Sequence, residues 1–297
     1  MSLAARIDSA GYSAGLRWLK SRGFESRYVT TPHGRLHCVE LDGQGVGPPV
    51  LLLHGISADG LSFSRVMQCM RPHHSRIVAL EALGHGLSDS PAPFNTNILL
   101  TALRDAIDAL EFSEPPILFG NSMGGGMAMW YAVEYPTNIQ GLVVASPAGA
   151  PLSDDEFNDL VESLTLRSFD DGRRFIRRIF YQSHWAAWPM AFLIRARFER
   201  RIVRDILADI PNSPTMSRTG MTRLIMPVHV LWGEADGVLP AHFAQFYQAN
   251  IPPHAVFEWV PRVGHSPHLE APHRLARVIR DIVNRPNGLE PIPLNLD

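Results

Sequence analysis

Gly120-Asn121-Ser122-Met123-Gly124 places a serine between two glycines, and nucleophilic attack on a carbonyl is the chemistry open to a serine so placed. An apolar run, Ile117 to Phe119, precedes the motif, and a helix-compatible run, Met127 to Val133, follows it. A strand, a sharp turn and a helix in that order push a hydroxyl out of the sheet edge. Small residues at 120 and 124 avoid collisions across the turn. The Met123 N–H, first in the new helix, is the expected donor to a developing oxyanion. A glycine-rich helix start with an N-capping serine is the plainer alternative.

A serine nucleophile needs a base, a group to orient the base, and oxyanion donors. His265, in Val263-Gly264-His265-Ser266-Pro267-His268, follows the last apolar run, Val256 to Val260, and is the candidate base. His268 is its rival and fits better at a helix start or behind the site. Asp236 follows the run Val228 to Trp232 and is the candidate orienting acid, with Glu234 nearby as competitor. Most aspartates in such loops only hydrogen-bond the backbone; it is the combination with Ser122 and His265 that marks this one. His54-Gly55-Ile56-Ser57 follows Val50 to Leu53, and the Ile56 N–H is the expected second oxyanion donor, ahead of Ser57, with His54 holding the loop.

These residues need a scaffold that brings loops from distant strands to one edge. Strand-length apolar runs recur at Leu36 to Leu41, Val50 to Leu53, Ile77 to Leu80, Ile117 to Phe119, Leu142 to Ala145, Val228 to Trp232 and Val256 to Val260. Helical patterns lie between them at 61–70, 98–110, 123–134, 241–250 and 272–283. The alternation predicts an α/β fold with a mostly parallel, doubly wound sheet covered on both faces. It stops between Pro147 and Arg223, where about 75 residues rich in arginine and aromatics (Phe175, Phe180, Tyr181, Trp185, Trp188, Phe192, Phe198) carry no strand pattern. The expected organisation is a core of residues 1–146 and 224–297 with a helical cap inserted at 147–223. Met1 to Arg22 reads as an amphipathic helix lying on the domain, and the proline-bearing tail after Asn284 as strand-free.

The 297 residues are 45% apolar and 19% charged, ordinary for a globular enzyme, and a net charge of −2 argues against a nucleic-acid partner. Of 27 basic residues only Lys20 is lysine, a bias of composition and not a binding surface. Cys38 and Cys69 have no metal-ligand spacing and read as buried free thiols, so neither a metal nor a disulfide framework is expected. No apolar run is long enough to span a membrane, and Met1 to Arg22 lacks the apolar stretch of a signal peptide. A cytoplasmic setting without stable membrane insertion is expected. The N-terminal segment could serve a homo-oligomer, a membrane surface or the core.

Together these motifs resemble the α/β-hydrolase fold family, over a span from about Tyr28 to Val283. In that family the triad runs serine, acid, histidine, the order found here. Gly84-His85-Gly86-Leu87-Ser88 is similar to the family's G-x-G-x-S loop, although Glu81 stands where aspartate is usual. The resemblance implies a serine esterase or lipase with Ser122, Asp236 and His265 as triad, Ile56 and Met123 as oxyanion donors, no cofactor, and a small ester with an apolar acyl group as substrate. Gly-Asn-Ser-Met-Gly-Gly is also similar to carbon–carbon bond hydrolases acting on dienoates. Those typically carry tryptophan after the histidine, where this chain has Ser266, and use cap arginines to hold a carboxylate. Arg195 and Arg197 could do so, but pairing with Glu199 and Asp205 on solvated faces is the expectation. A non-catalytic ligand-binding protein of the same fold is the remaining class, and acyl transfer to another alcohol would use the same residues.

Overall fold

The computed structural model describes residues 3–182 and 187–284, with the backbone alone at Ala187 and Trp188. The chain begins with α1 (Leu3–Lys20) and then forms β1 (Phe24–Thr31), β2 (Gly34–Asp42) and β3 (Val50–Leu53). A short 3-10 turn leads into α2 (Ser64–Met70), followed by β4 (Arg76–Leu80), α3 (Thr96–Ala109), β5 (Ile117–Asn121), α4 (Met123–Glu134) and β6 (Gly141–Ala145). Five helices come next: α5 (Asp154–Leu164), α6 (Phe169–Ile179), α7 (Ala187–Phe198), α8 (Arg201–Asp209) and α9 (Arg218–Met221). The chain then returns to β7 (Val228–Gly233), α10 (Ala241–Asn250), β8 (Val256–Val260), α11 (Pro267–Glu270) and α12 (Pro272–Asp281).

The sheet order is β1-β2-β4-β3-β5-β6-β7-β8. The β1–β2 and β2–β4 pairs are antiparallel and all the others parallel. Every residue of β3, β5, β6 and β7 is buried, as continuous apolar runs require of strands covered on both faces. In β3 the alternation of the pleat sends Leu51 and Leu53 into one core and Val50 and Leu52 into the other. Burying each such side chain contributes about 1.5–3 kcal/mol.

One strand departs from expectation. β1 precedes the first run singled out in the sequence. Its burial alternates unevenly along Phe-Glu-Ser-Arg-Tyr-Val-Thr-Thr because it is an edge strand with one neighbour, and only Phe24, Val29 and Thr31 are buried. Cys69 also differs from its reading as a buried thiol: Cys38 is buried, but Cys69 is partly exposed with Sγ 3.3 Å from His273 Nδ1.

The N-terminal helix lies on the domain through Asp8, Tyr12 and Leu19, positions that share one helical face. Tyr12 donates to Glu81 Oε1 at 2.5 Å. Buried Glu81 also accepts from the Gly60 N–H at 2.9 Å and the Leu87 N–H at 2.8 Å, and pairs with His37 Nδ1 at 2.9 Å. The departure from aspartate at this position therefore sits in a junction of α1, β2 and two loops.

Helices α5 and α6 start in capping boxes, Ser153 with Glu156 and Ser168 with Asp171; such caps typically stabilise a helix by about 1 kcal/mol. Phe175 and Ile176 are the buried face of α6, and Arg173, Arg174 and Arg177 lie off that face. Trp185 and the tail prolines Pro286, Pro291 and Pro293 lie outside the described residues, as does the side chain of Trp188. Among the described residues no helix is long and apolar enough to cross a membrane.

Candidate active site

β5 ends at Asn121 and α4 begins at Met123, so the whole reversal falls on Ser122, at φ 56° and ψ −120°. A non-glycine residue held there stores about 1–3 kcal/mol of strain. The neighbouring backbone enforces it: the Ser122 N–H donates to Ala145 O, and the Ser122 carbonyl accepts from the Gly126 and Ala148 N–H groups, each at 3.0 Å. A Cβ on Gly120 would overlap the Gly124 carbonyl, and one on Gly124 the Leu53 carbonyl, so both glycines are required by close approach.

The loop after β7 brings in Asp236. Its Oδ1 accepts the Val238 N–H at 2.8 Å and the Leu239 N–H at 3.3 Å, leaving Oδ2 for His265 Nδ1 at 2.8 Å. Burial works against ionisation of this carboxyl, but the imidazole and the Val238 N–H outweigh it and hold the group below the usual carboxylate range. The His265 backbone is fixed on both sides. Its N–H donates to Ile179 O at the end of α6, 2.7 Å, and its carbonyl accepts from Asn121 Nδ2, 2.8 Å.

Ser122 and His265 line one cavity of about 470 Å3, together with Ile56 and Ser57. The structure thus brings Ser122, Asp236, His265 and Ile56 to the carboxyl edge of the sheet, with Met123 at the head of α4. Among the described residues, the N–H groups of Ile56 and Met123 have no acceptor. Glu234 is exposed and His268 is buried in α11 on the cavity wall, where burial and the neighbouring His265 push its imidazole down to about 3. His54 shapes its loop, with Nδ1 on Gly55 O at 2.8 Å and Nε2 accepting the Ala82 N–H at 3.1 Å.

The rest of the wall is helical. Phe175, Ile176, Ile179 and Phe180 come from α6 and its end, and Leu193 and Ile194 from α7, with Gly11 and Tyr12 from α1. Aliphatic side chains outnumber aromatic ones there: Tyr181 and Phe192 are exposed, and Phe198 is packed against Phe175 in the core. Arg195 pairs with Glu199 at 2.6 Å as expected. Arg197 does not face solvent beside Asp205, which pairs with Arg201. Its Nε meets Asp8 Oδ1 and its Nη2 meets Asp59 Oδ2, both at 2.8 Å, and Nη1 donates to Ser57 O at 3.2 Å.

Sequence reasoning missed Asn121, Asp8, Tyr12 and the partners of Arg197. Asn121 had a signal, its place between the glycine and serine of the motif. The others are joined across too many residues for local pattern to reveal.

A model of the alpha/beta hydrolase family matches residues 50–278. Lipase 1 of Psychrobacter immobilis is 24% identical over 260 residues, covering 83% of this chain and 80% of that one. Among solved structures, a bacterial membrane phospholipase A is similar with a TM-score of 0.79 at 22% identity, covering 93% of this chain and 91% of that one. A meta-cleavage product hydrolase of Pseudomonas fluorescens is similar with a TM-score of 0.73 at 18% identity, covering 87% and 97%.

Proposed function

Because the chain belongs to the alpha/beta hydrolase family, we propose that it hydrolyses carboxylic esters with an apolar acyl group through a covalent acyl-enzyme. The observation that carries this reading is the Asp236–His265 hydrogen bond at 2.8 Å over the same cavity that the strained elbow serine lines. Ser122 Oγ attacks the ester carbonyl while His265 Nε2 takes its proton. Asp236 holds Nδ1–H toward itself, which selects the tautomer with a free Nε2 lone pair and stabilises the imidazolium. The Ile56 and Met123 N–H groups receive the oxyanion. His265 then protonates the leaving alcohol, and water, deprotonated by the same imidazole, releases the acid.

The cavity supports the choice of substrate. Its helical wall is mainly aliphatic, which suits an acyl chain. Cleavage of a dienoate, the alternative, would draw on the same elbow but needs a cation for the substrate carboxylate. Among the described residues the guanidinium on this wall, Arg197, is already engaged by Asp8 and Asp59. That observation favours the neutral ester.

A series of p-nitrophenyl esters from acetate to palmitate tests the reading, with Ser122→Ala as control. The expected result is turnover that falls at least about 10⁴-fold in the variant, with a chain-length optimum set by the cavity. A folded wild-type protein that turns over no ester but cleaves a dienoate would replace this reading with the alternative.

A further inference from the structure

Arg197 joins three parts of the chain that lie far apart in sequence. From α7 its nitrogens reach the other two: Nε meets Asp8 of α1, and Nη2 and Nη1 meet Asp59 and the Ser57 carbonyl of the loop after β3. Arg200 adds a second contact to Asp8 at 2.7 Å. The side chains of Asp8 and Asp59 are 5% and 8% exposed, so two buried carboxylates are closed over by the partly exposed guanidinium groups of Arg197 and Arg200. Such a cluster is costly to break, because loss of one member strands the others away from water.

The cluster sits against the residue proposed to bind the oxyanion. Ile56 directly precedes Ser57, a non-glycine residue at φ 63°. A left-handed turn at serine needs an external restraint, and the carbonyl that Arg197 grips belongs to that residue. On the other side, Asp59 Oδ1 accepts the Leu61 N–H at 3.1 Å and starts the next turn. The Ile56 N–H is thereby aimed by a loop whose shape is fixed at both ends by one cap-helix arginine and its partner.

We infer that Arg197 is a positioning residue: the Asp8–Arg197–Asp59 latch holds the oxyanion loop in its working shape and completes the oxyanion hole only while α7 is seated against α1. This inference rests on the acyl-transfer reading above. It differs from a role in which Arg197 binds substrate charge, because a latch acts on the transition state and a substrate anchor acts on affinity.

Steady-state kinetics on p-nitrophenyl acetate separate these roles, since so short an ester makes little use of the cavity wall. In Arg197→Ala, kcat is expected to fall on the order of 100-fold with KM nearly unchanged, the typical effect of a small misplacement in a preorganised site. Guanidinium chloride in the millimolar range should restore part of kcat, and ammonium chloride should not. Arg197→Lys keeps the charge but cannot reach three acceptors with one ammonium, so it should remain impaired. If Arg197→Ala does not give a cooperative melt, Arg197→Lys and the isosteric Asp59→Asn carry the same test, and both should lose kcat. Undiminished kcat in the folded variants, or a loss confined to KM, overturns the latch. Absence of wild-type turnover, measured beside Ser122→Ala, overturns the acyl-transfer reading instead.

Discussion

The two walls of the cavity are built differently. On the sheet side, Ser122, Asp236 and His265 stand in loops at the ends of parallel strands, and backbone hydrogen bonds fix each one. On the helical side, α1, α6 and α7 contribute mostly apolar side chains, held in place by ion pairs and a few long-range contacts. On the acyl-transfer reading, the sheet side carries the chemistry and the helical side selects the molecules that reach it. Arg197 and Ile179 are two of the places where the two sides meet: the first grips the loop after β3, and the second accepts the His265 N–H.

A change on the sheet side should reduce turnover of every substrate alike. Asp236→Asn keeps the shape but lets the side chain donate toward Nδ1, favouring the wrong imidazole tautomer. A fall in kcat of about 10³- to 10⁴-fold is expected for short and long esters equally; a loss that depends on acyl length would erase the distinction between the walls. A change on the helical side should be selective. Gly11 lines the cavity and has open space where a side chain would go. Gly11→Leu should therefore cost roughly tenfold against long acyl esters, about the discrimination one or two methylenes provide, while acetate turnover holds. It should also raise helix stability slightly, because glycine inside a helix costs about 0.5–1 kcal/mol relative to alanine. Unchanged palmitate turnover would remove α1 from the acyl path.

The smallest effect concerns pH and stability. Burial pushes the His85 and His268 imidazoles down to about 3, so both stay neutral in the folded state across the mildly acid range. The unfolded chain, with values of about 6.5, takes up those protons first. Stability should then decline as pH falls from about 6.5 toward 3, by about 1.4 kcal/mol per pH unit for each histidine. Urea denaturation at pH 7 and pH 5.5 checks this, and His268→Gln should flatten the slope. An unaltered slope in that variant would mean that His268 gains a proton in the folded protein.

The same contrast explains what the sequence could reveal. The strands were legible because β3, β5, β6 and β7 carry apolar runs, interrupted by Asn121 at the end of β5 and His229 in β7, as double-sided burial demands. Ser122, Asp236 and His265 were legible because each lies within five residues of the end of a strand-length run. β1 was not, because an edge strand with polar residues at five of its eight positions lacks a clear period. Arg197 was assigned the wrong partner for a related reason. Opposite charges close together in sequence suggest local pairs on solvated faces, and Arg195 with Glu199 forms one. Arg197 instead pairs 189 residues away, with an aspartate on a helix whose docking no local pattern encodes.

That separation has a consequence for synthesis. At about 5–20 residues per second, Arg197 leaves the ribosome roughly 10–40 s after Asp8. Glu81, the partner of Tyr12, emerges much sooner, 69 residues after it. The N-terminal helix can thus find its first anchor early and its second only late. In the interval Asp8 has neither Arg197 nor Arg200 to pair with.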